Sequence, residues 1–256
     1  MMEYFLAALQ TEGLKIRKSK VIWMTAAAFT IAPLMAGFFM VILKDPELAR
    51  QSGLIGAQAQ IAGEANWSSY LSLHAQMIAV GGIFVFDFIT SWIFGREFVD
   101  QTAKDLLALP YARSIIVIAK FVAAFITNLI LCGYIVFLGF LIGWGIGLPE
   151  WSISDITHHL YILFIVSILT IILSTPVAFL ASFSKGYLAP LGFVIFTLVL
   201  SQIIATIGYG EFFPWSIPAL YSGLTSGENL MSWLSFFIIL VTSLLGILST
   251  LYWWRN

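Results

Sequence analysis

The chain has 256 residues, of which 60% are hydrophobic and 10% are charged, and its mean hydropathy is +0.97. So much apolar surface cannot be hidden inside a water-soluble globule, so the composition indicates an integral membrane protein. The net charge of −1 gives no reason to expect nucleic acid as a partner, and the single cysteine, Cys132, excludes an intrachain disulfide.

The first predicted element is an amphipathic helix that precedes the first apolar run. Phe5, Leu6, Leu9 and Ile16 recur at near-helical spacing, whereas basic residues such as Lys15 occupy another face. A helix with this pattern is typical of the membrane interface, so we expect it to lie on the cytoplasmic surface.

Six apolar runs are long enough to cross about 30 Å of hydrocarbon as helices. They are predicted at 21–43, 73–95, 114–146, 158–183, 188–209 and 232–254. They leave little chain for an aqueous domain, so residues 1–256 are expected to form one all-α membrane domain. Placing the N-terminus in the cytoplasm puts ten of the twelve Lys and Arg residues inside and leaves only Lys44 and Arg50 outside. Both termini are therefore predicted to be cytoplasmic.

Asp87 is the one acid that falls deep inside a predicted span. An unpaired charge at that depth costs a few kcal/mol, so this residue should have a partner or a watery cavity. Two interpretations stay open: a polar contact in a translocation path, or a structural hydrogen bond or protonated acid.

The connection between the second and third spans is the most informative stretch of the sequence. Drawn as a helix from Glu97 to Leu109, it places apolar side chains on one half and polar ones on the other. The polar half consists of Glu97, Asp100, Gln101, Lys104 and Asp105. Pro110 would end this helix, which could dock a cytoplasmic partner or serve only as a linker.

Prolines shape two later segments. Pro176 should kink the fourth span, and neighbouring hydroxyls can satisfy the backbone groups that it frees. Between the fifth and sixth spans, the stretch from Gly210 to Pro218 mixes prolines with aromatic residues, which predicts a re-entrant or surface-hugging segment.

Enzymatic motifs are missing from the sequence. It has no H-E-x-x-H for zinc, no G-x-S-x-G for a serine nucleophile and no G-x-x-x-x-G-K-[ST] for nucleotide phosphates. We therefore predict no catalytic residue, no metal site and no cofactor bound by this chain itself.

The connection between spans two and three resembles that of the permease subunits of ABC-2 type transporters. The shared pattern is F-G-x-E-x-x-x-x-T-x-x-x-L-L-x-x-P-x-x-R followed by a lysine. The matching residues are Phe94, Gly95, Glu97, Thr102, Leu106, Leu107, Pro110, Arg113 and Lys120. Gln101 stands where a glycine usually precedes the threonine. The resemblance extends to the basic N-terminal helix, the six spans and the segment before the last span.

This resemblance implies a coupling helix that docks onto a separately encoded ABC ATPase subunit, which binds ATP and magnesium. The ATPase-coupling residues that it implies are Glu97, Asp100, Thr102, Lys104, Asp105, Leu106, Pro110 and Arg113. It also implies a complex of two ATPases with two permeases, the second being another copy of this chain or a sister permease.

Members of this family include exporters of bacitracin, lantibiotics and other drugs in prokaryotic plasma membranes. We therefore expect an exporter subunit that moves an amphipathic or hydrophobic substrate, such as an antibiotic peptide, a drug or a lipid. Asp87 is the candidate for its translocation path. The alternative is a non-transporting membrane sensor or scaffold coupled to an ATPase, and an intramembrane enzyme is the third hypothesis.

Overall fold

The chain folds into a bundle of membrane-length helices. A computed structural model describes residues 2–45, 64–107, 112–224 and 232–255, and every regular element within them is helical. Six helical stretches are long and apolar enough to cross a membrane. The predicted all-α class with six spans is therefore confirmed.

The described helices are named here in chain order. They are α1 (Met2–Lys18), α2 (Lys20–Phe29), α3 (Ile31–Lys44), α4 (Trp67–Val99), α5 (Ala103–Leu107), α6 (Arg113–Ile146), α7 (Ile153–Ile172), α8 (Thr175–Phe183), α9 (Leu188–Thr206), α10 (Ile217–Tyr221) and α11 (Trp233–Arg255). The spans are span 1 (α2 and α3), span 2 (α4), span 3 (α6), span 4 (α7 and α8), span 5 (α9) and span 6 (α11).

Span 2 is the central helix of the bundle and is longer than its apolar run. It begins at Trp67 because the side chain of Asn66 caps it, accepting a hydrogen bond from the Ser69 backbone N–H at 2.9 Å. At its other end it continues to Val99, past the predicted boundary at residue 95. Span 2 packs against spans 1, 3, 4 and 5, so most of its surface contacts protein rather than lipid.

Span 4 is interrupted where the sequence predicts a kink. Pro176 has no N–H to donate to the carbonyl of Ile172. That carbonyl instead accepts from Thr175 Oγ1 at 3.0 Å and from Ser243 Oγ of span 6 at 3.3 Å. Thr175 Oγ1 also lies 3.1 Å from the Ser243 carbonyl. The predicted kink and its hydroxyl compensation are confirmed, and span 6 supplies part of the compensation.

The segment between spans 5 and 6 contains a 3-10 turn at Gly210–Phe212 and the short helix α10. Trp215, Ser216 and Ile217 are buried, and α10 packs against spans 2 and 4. Its packing fits a segment folded back onto the bundle. Its depth relative to lipid, like the interfacial placement of α1, stays a prediction.

Candidate functional site

A cluster of five charged side chains joins three elements at one end of the bundle. It is called the ionic cluster here and consists of Glu12 and Lys15 from α1, Arg96 and Glu97 from span 2, and Lys120 from span 3. Four of the five are buried, and Lys120 has no exposed surface at all. Lys15 is the most exposed member, with 34% of its side chain accessible.

Glu97 lies at the start of the connection between spans 2 and 3, yet its side chain points into the protein and is 3% exposed. Its carboxylate accepts hydrogen bonds from Lys15 Nζ at 2.7 Å and from Lys120 Nζ at 3.1 Å. Its other oxygen accepts from Thr102 Oγ1 at 2.6 Å. The predicted polar half of the connection therefore does not include Glu97, because this carboxylate is paired within the chain.

Glu12 is the second acid of the ionic cluster and is 2% exposed. One of its oxygens accepts from Arg96 Nη2 at 2.7 Å, and the other accepts from Lys120 Nζ at 3.2 Å. Lys15, one turn further along α1, also reaches Glu12 at 3.2 Å. Glu12 therefore neutralises cations on both span 2 and span 3.

The charges of the ionic cluster do not balance. Among the described side chains, three cations face two acids, which leaves one excess positive charge in a largely buried site. Arg96 Nε has no hydrogen-bond acceptor within the described part of the chain, and its guanidinium lies 4.6 Å from the Trp92 ring centre. Removing one partner from a buried ion pair typically costs about 3–5 kcal/mol because the remaining charge is uncompensated. Each acid of the cluster should therefore matter more than a surface acid.

The connection itself, residues 97–113, is not one helix. Span 2 ends at Val99, and α5 begins at Ala103. Between them Gln101 has a φ of +59°, a left-handed conformation that interrupts a helix and favours glycine. The single helix drawn from Glu97 to Leu109 is therefore wrong. The position where the ABC-2 pattern usually has glycine is therefore one where the backbone conformation favours glycine, and this chain places Gln101 there.

The remaining predicted coupling residues occupy different environments. Asp100, Thr102 and Lys104 are exposed at the turn and on α5, and Leu106 packs against the bundle core. Asp105 lies in α5, and Pro110 lies outside the described residues.

Arg113, at the start of span 3, is directed towards the end of span 6. Its Nη1 atom donates to the Trp254 carbonyl at 3.4 Å and to the Arg255 carbonyl at 3.3 Å. The last carbonyls of a helix lack intrahelical donors, so a cation there satisfies them and complements the helix dipole. Nearby, the Phe98 and Trp254 rings meet at 5.7 Å between their centres. The connection is therefore anchored at both ends.

Asp87 lies ten residues before Glu97 on span 2, about 15 Å along a helix, so the structure does not bring it to the ionic cluster. It is 1% exposed, and neither carboxylate oxygen has a hydrogen-bond partner among the described residues. One turn on, Thr90 Oγ1 donates to Ser174 Oγ at 3.0 Å and accepts from Asn128 Nδ2 at 3.4 Å. The hydroxyl and amide groups of Thr90, Ser174 and Asn128 therefore bond to one another and do not provide the partner expected for Asp87.

An apolar groove of about 1090 Å³ opens between spans 3, 4 and 6. Its walls are aliphatic and aromatic, and the hydroxyls of Ser174, Thr175 and Ser243 lie where the kinked span 4 meets span 6. Such a surface suits an acyl chain or another apolar group. Within the described ranges, no three His, Cys, Asp or Glu side chains are placed to hold a metal ion.

Sequence reasoning missed Glu12, Lys15 and Arg96 as site residues. A signal for Glu12 is present, because Phe5, Leu9, Glu12 and Ile16 follow helical spacing and share one face of α1. An acid inside an otherwise apolar stripe indicates a buried cationic partner. The sequence alone does not say which cation provides it.

The part of the chain that holds the ionic cluster is similar to known proteins. A family model described as ABC-2 family transporter protein matches residues 8–201. The bacitracin transport permease protein BCRB of Bacillus licheniformis is 27% identical over 176 residues, which make up 68% of this chain and 84% of that protein. The residues matched by the family model include the whole ionic cluster and the 97–113 connection.

Proposed function

This chain belongs to the ABC-2 family of transporter proteins, and from that membership we propose that it exports an amphipathic substrate by using ATP hydrolysed in a separate subunit. The family and the six apolar helices identify the chain as a multi-pass membrane permease of an ABC transporter. A permease of this family associates with an ABC ATPase subunit. In the proposal, ATP and magnesium bind to that subunit, and this chain carries out no catalysis.

The observation that carries the proposal is the anchoring of the 97–113 connection. At its first end, Glu97 binds Lys15 of α1 and Lys120 of span 3, and at its last end Arg113 binds the end of span 6. The exposed Asp100 and Lys104 lie between these anchors. A partner that moves the exposed part would therefore displace α1 and spans 2, 3 and 6 together.

This arrangement supports a mechanical mechanism. An ATPase changes shape when it closes on nucleotide, and only a stiff contact transmits that change to the spans. Buried charge pairs provide stiffness because separating them is costly, whereas a solvated linker would absorb the movement. The exposed charges are accessible to a docking partner. Because they are exposed, they also contribute little to the stability of the chain itself.

The substrate class is argued from the apolar groove and from the relative. The groove between spans 3, 4 and 6 accommodates hydrophobic groups, and the relative in Bacillus licheniformis is named as a bacitracin transport permease. We propose an antibiotic peptide, drug or lipid as the substrate, with Asp87, whose carboxylate has no hydrogen-bond partner among the described residues, as a polar contact in its path. The chain would work in a prokaryotic plasma membrane with both termini in the cytoplasm, paired with a second copy or a sister permease.

The test combines two charge reversals on the exposed part of the connection, Asp100→Lys and Lys104→Glu, which leave the net charge unchanged. The control is Asp155→Lys, at an exposed acid at the start of span 4, the end predicted to face outside. Membrane yield, co-purification of the ATPase and substrate transport are measured for both variants.

We expect the double reversal to insert normally and to lose ATPase binding, transport or both, while the control retains all three. Normal ATPase binding with normal transport in the double variant would reduce the connection to a linker. ATPase binding without any substrate movement in the unaltered protein would instead favour the sensor or scaffold function.

A further inference from the structure

The face of α1 that packs against the bundle carries the apolar Leu9 and Ile16 and, between them, the acid Glu12. Glu12 is 2% exposed, while Leu6 and Leu14 are 48% and 56% exposed. Leu6 and Leu14 therefore project away from the bundle, whereas Glu12 is turned towards spans 2 and 3 and bonds to both. The bonds of Glu12 and Lys15 hold α1 in this orientation together with the packing of Leu9 and Ile16.

We propose that Glu12 is a positioning residue that latches α1 to spans 2 and 3 and thereby sets the geometry of the 97–113 connection. This inference rests on the proposed function only for its effect on transport. The latch itself is a property of this chain, so it can be tested without any partner.

Arg96 depends on Glu12 more than on any other acid. Its short carboxylate contact is the one to Glu12 at 2.7 Å, whereas Glu97 lies 3.6 Å from Arg96 Nε without a hydrogen bond. Without Glu12, the cluster would hold three cations against one acid. Arg96 would be left with the Trp92 ring as its main neighbour, and that ring compensates only part of a full charge.

Lys120 is the link by which Glu12 affects the connection. Its ammonium group donates to Glu12 at 3.2 Å, to Glu97 at 3.1 Å and to the Ile93 carbonyl at 3.1 Å. If Glu12 became neutral, Lys120 would have only Glu97 as a counter-ion. Glu97 would then be shared between Arg96, Lys120 and Lys15, and its bond to Thr102 would be perturbed.

Thr102 completes the path from α1 to the surface. Its hydroxyl donates to Glu97, and it stands between the left-handed Gln101 and the first residue of α5. The hydrogen bond therefore holds the turn from which α5 projects. A change at Glu12 should reach α5 through Lys120, Glu97 and Thr102, although Glu12 touches no residue of α5 in the described contacts.

The test compares Glu12→Gln with Glu3→Gln, the same substitution at an exposed acid of the same helix. Two spin labels are attached to cysteines introduced at the exposed positions Gln10 on α1 and Lys104 on α5, in a Cys132→Ser background. The distance distribution between the labels is measured by double electron–electron resonance on the full chain in lipid nanodiscs, without ATPase. Transport per ATP hydrolysed is measured separately in the complex, without the labels.

We expect Glu12→Gln to broaden the label distribution and to lower transport per ATP about tenfold, while Glu3→Gln leaves both unchanged. Arg96→Gln should have a smaller effect, because Glu12 would still bind Lys120, and the Glu12→Gln/Arg96→Gln double variant should give a broader distribution than Arg96→Gln alone, because it also loses that contact. Glu12→Asp, which retains the charge, should restore most of the coupling. The Glu12→Gln/Arg96→Gln double variant keeps the excess at one positive charge, and it replaces Glu12→Gln, with Arg96→Gln as its control, if Glu12→Gln does not insert.

The latch is refuted if Glu12→Gln matches Glu3→Gln in the label distribution. A broadened distribution without any ATPase-dependent transport in the unaltered protein would leave the latch in place and overturn the proposed function. A fall in protein yield that Glu12→Asp does not relieve would make Glu12 a residue of general stability and also contradict the positioning role.

Discussion

Gly246 of span 6 lies directly against the backbone of span 4, with no room for a side chain between them. A Cβ atom added there would lie 2.5 Å from the Pro176 backbone nitrogen and 2.6 Å from the Thr175 carbonyl carbon. Both contacts are backbone atoms at the kink of span 4, so no side-chain rotation can relieve them. Gly246→Ala must therefore push span 6 away from span 4.

The size of the effect follows from three contributions. Overpacking of a close contact costs about 1–3 kcal/mol. Separation of the spans also weakens the hydrogen bonds between Thr175 and Ser243 and between Ser243 and Ile172, at about 0.6 kcal/mol each for side-chain bonds inside membranes. The higher helix propensity of alanine offsets about 1 kcal/mol. The net expectation is a destabilisation of roughly 1–3 kcal/mol.

The assay is the thermal unfolding midpoint of the purified protein in detergent at one fixed heating rate. At about 2–4 °C per kcal/mol for a chain of this size, the midpoint of Gly246→Ala should fall by roughly 2–12 °C. The control is Gly133→Ala in span 3, where an added Cβ has no neighbour within 4 Å. That variant should match or slightly exceed the unaltered protein. Equal midpoints for the two variants would refute the close approach of spans 4 and 6.

Two further predictions concern Asp87 and the orientation of the chain. Asp87→Asn retains the size of the side chain and removes its charge, so we expect normal protein yield with loss of substrate transport; full transport would assign the acid a structural role. In a Cys132→Ser background, a cysteine at the exposed Ser154 should react with a membrane-impermeant thiol reagent added to intact cells, and one at the exposed Ser184 should not. The reverse labelling pattern would invert the orientation derived from the Lys and Arg distribution.

The number and approximate position of the spans could be predicted from the sequence because both depend on local properties. A helix crosses the bilayer when about 20 consecutive residues are apolar, and no distant residue changes that requirement. The same holds for the kink at Pro176, since the missing N–H belongs to the proline itself. The helix of span 2 continues past its apolar run to Val99, with Arg96 and Glu97 buried as ion pairs in its last turn, and the apolar pattern does not predict this extension.

The site required information that no local pattern contains. Periodicity places Glu12 on one face of α1 and Glu97 on one face of span 2, but it does not say which face meets protein and which meets lipid or water. In a membrane protein an apolar side chain can face either lipid or protein, so the apolar pattern of α1 does not show which of its faces packs against the bundle.

Burial of these acids became favourable only because Arg96 and Lys120, 84 and 108 residues away from Glu12, lie within 3.2 Å of it. The sequence determined that the chain crosses a membrane and where the connection between spans 2 and 3 falls. Only the tertiary structure decided that α1 binds the residues at the start of this connection, because the free energy of a buried charge depends on the distance to its counter-ion.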